Sequence, residues 1–176
     1  STWTLLTTSF IATRNSTVDV FGLTRSDETQ LLLDDISFAT NLCPTLGSCD
    51  FEGSDMCGWE NGVGISSVRA VWLQIQPKSR YIKGTILRYD HTTRQSSGHY
   101  VVLPAAMFNA ARGRGATVLK SPMIKTSESP PTICFSMYYF AAAANTSTIA
   151  LTLRLVDVEA THRAQSVTVN ATLAQP

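Results

Sequence analysis

The chain has 176 residues, of which 44% are hydrophobic and only 15% are charged, and its formal net charge is +1. A chain of this length corresponds to one domain and can bury about 70% of its unfolded surface. The near-zero net charge gives no electrostatic basis for binding nucleic acid or an anionic membrane. No apolar run approaches the roughly 20 residues needed to span a bilayer, so no transmembrane segment is predicted.

The first 43 residues contain apolar strands that require a core. Two or three strands are predicted before residue 40, and the last of them runs from Leu31 to Phe38. Its apolar side chains need an interior to enter, because an exposed apolar edge would pair with another chain. Cys43 follows this strand.

Two short motifs come next, Cys49-Asp50-Phe51-Glu52 and Cys57-Gly58-Trp59. Two cysteines this close together, each followed by an aromatic residue, suggest a small disulfide loop at the start of an extracellular β domain. The chain has four cysteines, which allow three connectivities, and the sequence alone does not choose between them. A zinc site is disfavoured, because paired C-x-x-C units are missing and no histidine lies near.

The rest of the chain is predicted to be nearly all strand. Side chains alternate between apolar and polar from Ile149 to Leu155, as in a half-buried antiparallel strand. A short helix is predicted at Pro104–Arg112, and the run Ala141–Ala144 is interpreted as a loop tip. About nine or ten strands in total favour an all-β fold, an antiparallel β-sandwich of jelly-roll type. The predicted strands after residue 60 are Val68–Gln76, Gly84–Asp90, His99–Leu103, Ala116–Lys120, Thr132–Phe140, Thr148–Val158 and Gln165–Leu173.

Several motifs follow the two cysteine motifs in a fixed order. They are Trp72, then Asp90-His91-Thr92 leading to Gly98-His99-Tyr100-Val101, then Gly115 to Pro122, then Cys134 to Tyr139, and finally the strand from Ile149 to Leu155. In this order, over roughly residues 49 to 156, the sequence resembles the MAM domain, an adhesion module of animal receptors and matrix proteins. The resemblance implies a jelly-roll sandwich and a non-enzymatic, extracellular role.

The segment before Cys49 resembles the end of such a domain rather than its beginning. A MAM domain closes with a tryptophan-containing strand, an apolar strand, and a DDISF-like strand followed by its last cysteine. Trp3, the strand from Phe10 to Phe21, the strand ending in Phe38, and Cys43 occur in that order. We therefore expect residues 1–43 to be closing strands and residues 44–176 to be opening and central strands of a MAM-like sandwich.

Three arrangements explain this rotated order: an excised piece of a tandem array, a circular permutation, or a polymer in which residues 1–43 complete a neighbouring copy. We rank an array or a polymer above permutation. The resemblance implies the disulfides Cys49–Cys57 and Cys43–Cys134. The second bridge is intermolecular if the segment is donated and intrachain otherwise. Since the chain lacks an initiator Met and a signal segment, we expect a mature or excised piece of a secreted protein.

Three sequons predict N-glycans, at Asn15, Asn145 and Asn170. The apolar residues around Asn170 alternate with it, so its side chain is expected to point outward. Asn15 is expected in a polar turn before a strand. A glycoprotein of the extracellular space, secreted or on the cell surface, is therefore predicted.

The search for catalytic residues favours a protein that is not an enzyme. His91, His99 and His162 are scattered among predicted strands and loops, and the G-x-S-x-G motif is missing from the sequence. Clustered carboxylates favour calcium, and jelly-roll folds often hold a structural cation, so Glu52 and Asp35 are its candidate ligands. The alternative for such acids is capping of backbone N–H groups. No other cofactor is predicted.

Two classes of function remain. The first is a structural or adhesive module that assembles head to tail with copies of itself, into a tandem array or a filament, by strand complementation. The second is a carbohydrate-binding jelly roll that uses exposed aromatic side chains such as Trp59, Tyr81 or Tyr89. Tryptophan residues more often fill a sandwich core than line a sugar site, and the rotated ends favour assembly.

Overall fold

The computed structural model describes residues 3–11, 15–23, 29–40, 48–62, 71–77, 87–103, 116–125, 132–143, 149–157 and 164–171. Within these ranges the regular structure is entirely β-strand. In chain order, the strands are β1 (Thr4–Ile11), β2 (Asn15–Leu23), β3 (Thr29–Thr40), β4 (Glu60–Gly62), β5 (Leu73–Ile75), β6 (Tyr100–Leu103), β7 (Ala116–Lys120), β8 (Ile124–Lys125), β9 (Thr132–Ala143), β10 (Ile149–Asp157) and β11 (Ala164–Ala171).

The strands form two antiparallel sheets. The first sheet has five strands in the order β1-β9-β3-β6-β5. The second has six, in the order β11-β10-β2-β7-β4, with β8 paired to β2. The prediction of an all-β antiparallel sandwich is confirmed.

The main core lies between the two sheets. Along β10, Leu151, Leu153 and Leu155 are buried whereas Arg154 is exposed, as the alternating pattern predicts. The opposite sheet contributes alternate residues of β3 and β9. The cluster joins residues of both sheets: Phe10, Val18, Val20, Leu31, Leu33, Ile36, Phe38, Cys49, Phe51, Trp59, Trp72, Val101, Leu103, Leu119, Ile133, Phe135, Met137, Tyr139, Ala141, Leu151, Leu153 and Leu155.

A smaller apolar cluster covers the outer face of the first sheet. Leu32 lies there beside Val102 and Phe140, its partners on the two neighbouring strands. Leu87 and the partly buried Trp3 pack over it. The central strand β3 is therefore buried on both faces, which explains its unbroken Leu31-Leu32-Leu33 run.

Gly22 in β2 allows close approach of the two sheets. A Cβ atom at this position would lie 2.6 Å from a methyl carbon of Leu103 and 2.9 Å from the indole of Trp72. These distances are shorter than van der Waals contact. The backbone of β2 therefore packs directly against side chains of the first sheet.

Two predictions about secondary structure are wrong. The strand predicted at Gly84–Asp90 is a loop over residues 87–90, where the carboxylate of Asp90 accepts hydrogen bonds from residues that follow it. The loop tip predicted at Ala141–Ala144 is strand up to Ala143, because this run pairs with β3 and places Ala141 opposite Leu31.

Of two other predictions, one is tested only in part and one is not tested. Of the strand predicted at Val68–Gln76, the described residues form a strand only at Leu73–Ile75. The predicted helix at Pro104–Arg112 lies outside the described residues.

Candidate functional site

The predicted closing segment, residues 1–43, meets the rest of the chain along a seam that passes through both sheets. Strand β3 lies between β9 and β6, β2 lies between β10 and β7, and β1 pairs with β9. Without these three strands, β9 would lose both of its neighbours and β10 would be separated from β7. Neither sheet is therefore continuous without a closing segment.

In this structure the closing segment pairs with strands of its own chain. The rotated order of the motifs predicts that the same segment completes a neighbouring copy. Because exchange of an identical element reproduces the same contacts between two chains, the donation of the segment stays a prediction.

An aromatic stack forms the apolar part of the seam. Phe38 of β3 is buried and stacks on Trp59, with ring centroids 5.8 Å apart. It also contacts Phe135 of β9 at 5.3 Å between centroids. Burial of these rings holds the end of β3 against both the disulfide loop and β9.

The disulfide loop is joined to β3 by two backbone hydrogen bonds. The N–H of Ile36 donates to the carbonyl of Cys49 at 2.9 Å, and the N–H of Cys49 donates to the carbonyl of Ile36 at 2.6 Å. Cys49 is bonded to Cys57, which confirms the predicted short-range disulfide. The loop that opens the family motif is thus fixed to the last strand of the closing segment.

Asp34 forms the buried polar part of the seam. Its carboxylate accepts hydrogen bonds from the backbone N–H groups of Asp35 and His91, each at 2.8 Å. Burial raises the pKa of Asp34 to about 8, and the nearby carboxylates of Asp35 and Asp90 add to that increase, although the hydrogen bonds oppose it. The buried carboxyl group therefore connects β3 to the loop of residues 87–99.

Asp35 extends this connection at the surface. The pairing of β3 with β9 shifts between Asp34 and Ser37, and Asp35 adopts a φ of 47° there, as a residue in a β-bulge can. Its carboxylate pairs with the imidazole of His91 and accepts a 2.6 Å hydrogen bond from the hydroxyl of Thr92. The bulge thereby directs Asp35 toward the loop.

The ring of His91 lies between aromatic groups from both sides of the seam. It stacks on Tyr138 of β9, with ring centroids 3.5 Å apart, and meets the edge of Trp3 at 6.1 Å. His91 belongs to one of the motifs that resemble the family, but the sequence does not indicate its position beside Asp34 or Asp35. The residues are more than 50 positions apart in the chain, so no local pattern signals the contact.

Asp90 organises the loop that carries His91. Its carboxylate accepts hydrogen bonds from the hydroxyl of Thr93 at 2.6 Å and from the N–H of Gln95 at 3.1 Å. Burial opposes ionisation, but these hydrogen bonds outweigh it and lower the pKa of Asp90. A Cβ atom at position 98 would lie 2.2 Å from this carboxylate, so the packing requires Gly98.

The two candidate calcium ligands have different protein partners. Asp35 pairs with His91 and Thr92, whereas Glu52 accepts a 2.8 Å hydrogen bond from the N–H of His99. Glu52 therefore caps a backbone N–H group, as the alternative predicts, whereas the partners of Asp35 are side chains. Among the described residues, no group of three or more His, Cys, Asp or Glu could hold a metal ion. The calcium site stays a prediction.

The aromatic residues proposed for carbohydrate binding do not form an exposed platform among the described residues. Trp59 is only 4% exposed, so its predicted exposure is wrong, because Phe38 and the core cover it. Tyr89 is 39% exposed. Tyr81 lies outside the described residues.

The remaining predicted sites are placed only in part. Asn15 is the first residue of β2, opposite Lys125 of β8, so its predicted position in a turn before the strand is wrong, because pairing with β8 extends the strand to this residue. The backbone of Asn170 lies in β11, opposite Ala150. Asn145, His162 and Cys43 lie outside the described residues.

Cys134 is half-buried in β9, between Ser9 of β1 and Ala39 of β3. It has no disulfide partner in the part of the chain that the structure describes. The Cys43–Cys134 bridge and the three glycans stay predictions.

Comparison with known protein families identifies one match. The family model described as MAM domain, meprin/A5/mu, matches residues 49–173. The match begins at the first cysteine of the disulfide loop and covers more than half of the chain. A comparison with solved structures finds no match.

MAM domains are typically found in extracellular or membrane proteins, where they act as adhesion-type modules. Among the described residues, no helix is long and apolar enough to cross a bilayer. The family match, the two antiparallel sheets and the Cys49–Cys57 disulfide agree with one another. The chain therefore belongs to the MAM family of jelly-roll, adhesion-type modules.

Proposed function

We propose that the protein is a non-enzymatic extracellular module whose copies assemble head to tail, each closing segment completing the sandwich of the next copy. The observation that supports this proposal is the position of β1, β2 and β3, which fill places in both sheets between or beside strands of the rest of the chain. Those places require three strands, and the partner that supplies them can be the same chain or another one.

Such an exchange buries the same side chains as the arrangement within one chain. Phe10, Leu31, Leu33 and Phe38 leave water whether they enter their own sandwich or that of a neighbour. Because the contacts are the same, the difference in free energy lies in the linker and in the entropy of association. An interface that contains part of a domain core should also exceed the standard buried area of about 1,600 Å².

Seven residues, 41–47, separate the end of β3 from Ser48 in the sequence. Fully extended, seven residues span at most about 25 Å. That reach is sufficient only if neighbouring copies lie close together. Each copy would then give one segment and receive one, and such a head-to-tail contact generates an open series where the rotation between neighbours does not close a ring.

Cys43 is one of these seven residues, and Cys134 lies on β9, beside the end of β3. We propose that these cysteines form a bridge between copies, so that the assembly becomes covalent in an oxidising compartment. A ladder on a non-reducing gel that collapses to the 19.1 kDa chain on reduction is expected. A monomer band without reductant would contradict the covalent link.

An extracellular location also predicts N-glycans at Asn15, Asn145 and Asn170. Protein secreted from eukaryotic cells should lose mass on treatment with an N-glycosidase, and Asn→Gln substitution at each site should remove one increment. Unmodified peptides at all three sites would contradict this part of the proposal.

Light scattering of the purified chain over a range of concentrations tests the assembly. The proposal predicts masses that extend through successive multiples of 19.1 kDa without a fixed upper limit. A variant that lacks residues 1–43 should give a monomer or an amorphous aggregate, never an ordered series. A constant mass of 19.1 kDa at every concentration would contradict the proposal.

A further inference from the structure

The edge strand β1 lacks the features that usually prevent a strand edge from pairing. It ends the first sheet and pairs with β9 through eight residues without a register shift. Its other edge faces no strand in the described residues. Natural edge strands carry charges, prolines or bulges that block pairing with another chain. The strand from Thr4 to Ile11, with the sequence TLLTTSFI, has neither a charge nor a proline.

The side chains of β1 divide into two faces. Phe10 is buried, and Leu6 and Thr8 are half-buried on the same face. On the other face Leu5 is 53% exposed and Ile11 is 58% exposed. The residues of β9 that lie beside this outer face are also uncharged. The paired residues there are Leu5 with Tyr138, Thr7 with Ser136, Ser9 with Cys134, and Ile11 with Thr132.

The pattern along β1 is complementary to itself. In antiparallel pairing, opposite residues point to the same side of the sheet. A twofold axis perpendicular to the sheet relates the two copies and keeps each side chain on its own side of the sheet. Opposite residues therefore point to the same side only when the axis passes through a residue, not between two residues. With Thr8 on the axis, Leu5 lies opposite Ile11 of the other copy, Leu6 opposite Phe10, and Thr7 opposite Ser9. This register brings both exposed apolar side chains into contact with apolar partners.

We propose that the β1 edges of two copies pair antiparallel about a twofold axis through Thr8, so that two five-stranded sheets join into one of ten strands. The occupant of the edge is a second copy of this chain. The outer-face residues of β1 and their partners on β9 are uncharged, and the net charge is only +1, so little electrostatic repulsion opposes pairing of the copies.

One strand edge buries less area than the roughly 800 Å² per partner of a standard interface. The dimer is therefore weak and depends on concentration. Many weak contacts between molecules held at a surface give a strong attachment through effective concentration. The dimer is independent of head-to-tail assembly, since β1 ends the first sheet whether the closing segment is retained or donated.

Hydrogen–deuterium exchange of the intact chain, measured at several concentrations, tests the pairing. The amides of residues 4–10 that point away from β9 should become more protected as the concentration rises, because they gain hydrogen-bond partners in the second copy. Thr7→Lys or Ser9→Glu should each weaken the dimer by about tenfold, since each places a charge on the edge. Met123→Lys, an exposed change between β7 and β8 of the other sheet, is the matched control and should leave the protection unchanged.

Mixing the two variants distinguishes the proposed register from a general loss of structure. Lysine at position 7 of one copy would lie opposite glutamate at position 9 of the other, so an equal mixture should recover the protection that each variant alone lacks. Protection that does not change with concentration, persists with Thr7→Lys, or fails to recover on mixing would overturn the proposal. An unlimited series of masses for Thr7→Lys would identify head-to-tail assembly separately, because that assembly does not use the β1 edge.

Discussion

The ring of Phe38 stacks on the indole of Trp59, with centroids 5.8 Å apart and planes inclined by 10°. Phe38 belongs to the closing segment, whereas Trp59 follows the disulfide loop that opens the family match. The contact therefore joins the N-terminal strands to the part of the chain that the family model matches.

Phe38→Ala should destabilise the sandwich by about 3–5 kcal/mol, because it removes a buried ring and leaves a cavity between Trp59 and Phe135. Urea unfolding monitored by tryptophan fluorescence measures the change. Leu5→Ala is the control, since that side chain is 53% exposed and should cost less than about 0.5 kcal/mol. Equal losses for the two variants would contradict the buried stack.

Asp34→Ala should destabilise the fold because the backbone N–H groups of Asp35 and His91 lose their acceptor. An unsatisfied buried donor costs about 1–3 kcal/mol. Asp50→Ala, which removes an exposed acceptor in the disulfide loop, is the matched control and should cost much less. The measurement is again the free energy of unfolding, and a loss no larger than that of the control would show that Asp34 does not stabilise the loop.

Gly22→Ala should destabilise the protein by about 1–3 kcal/mol, because the added methyl group overlaps Leu103 and Trp72 between the sheets. Gly53→Ala is the control, since the nearest atom to its added carbon is 3.7 Å away. Thermal unfolding of both variants measures the difference. A neutral Gly22→Ala would mean that the sheets are farther apart than the structure places them.

Asp19 should make stability depend on pH. Burial raises the pKa of Asp19 above its ordinary value of 3.8, although Lys120 and Arg154 oppose the shift. At pH values between the ordinary pKa of 3.8 and the raised pKa in the folded chain, Asp19 keeps a proton when folded that it has lost when unfolded. The free energy of unfolding therefore falls as pH rises through this window. Asp19→Asn should remove this part of the slope in unfolding experiments at several pH values, and an unchanged slope would contradict the assignment.

Patterns that are local in the sequence predicted much of the fold. The alternation of Leu151, Leu153 and Leu155 gives the inward face of β10 directly, because successive side chains of a strand point to opposite faces. The predicted strand at Ala116–Lys120 matches β7 at both ends. The short spacing of Cys49 and Cys57 identified their disulfide through the family resemblance.

Features set by distant contacts could not be predicted. Alanine has a low strand propensity, but Ala141 is strand because β3 pairs with it. Trp59 is buried because Phe38 stacks on it. The connection of Asp34 and Asp35 to His91 depends on a bulge in β3 and on the turn around Asp90, and neither has a signature in residue spacing.

The donation of the closing segment is tested most directly by a disulfide placed across β1 and β9. Ser9 lies opposite Cys134 in this pair, so Ser9→Cys positions two thiols on neighbouring strands. Cys43→Ser in the same chain removes a competing thiol. Adding Cys134→Ser gives the control, in which no ladder should extend beyond a dimer.

After mild oxidation, the chains are separated on a non-reducing gel and their intact masses are measured. Donation predicts that the new disulfide joins different copies, which gives a ladder of multimers that collapses to the 19.1 kDa chain on reduction. A monomer band whose intact mass shows an intrachain disulfide between Cys134 and the cysteine introduced by Ser9→Cys would contradict donation. That result would establish the closing segment as part of its own sandwich, as in a circular permutation.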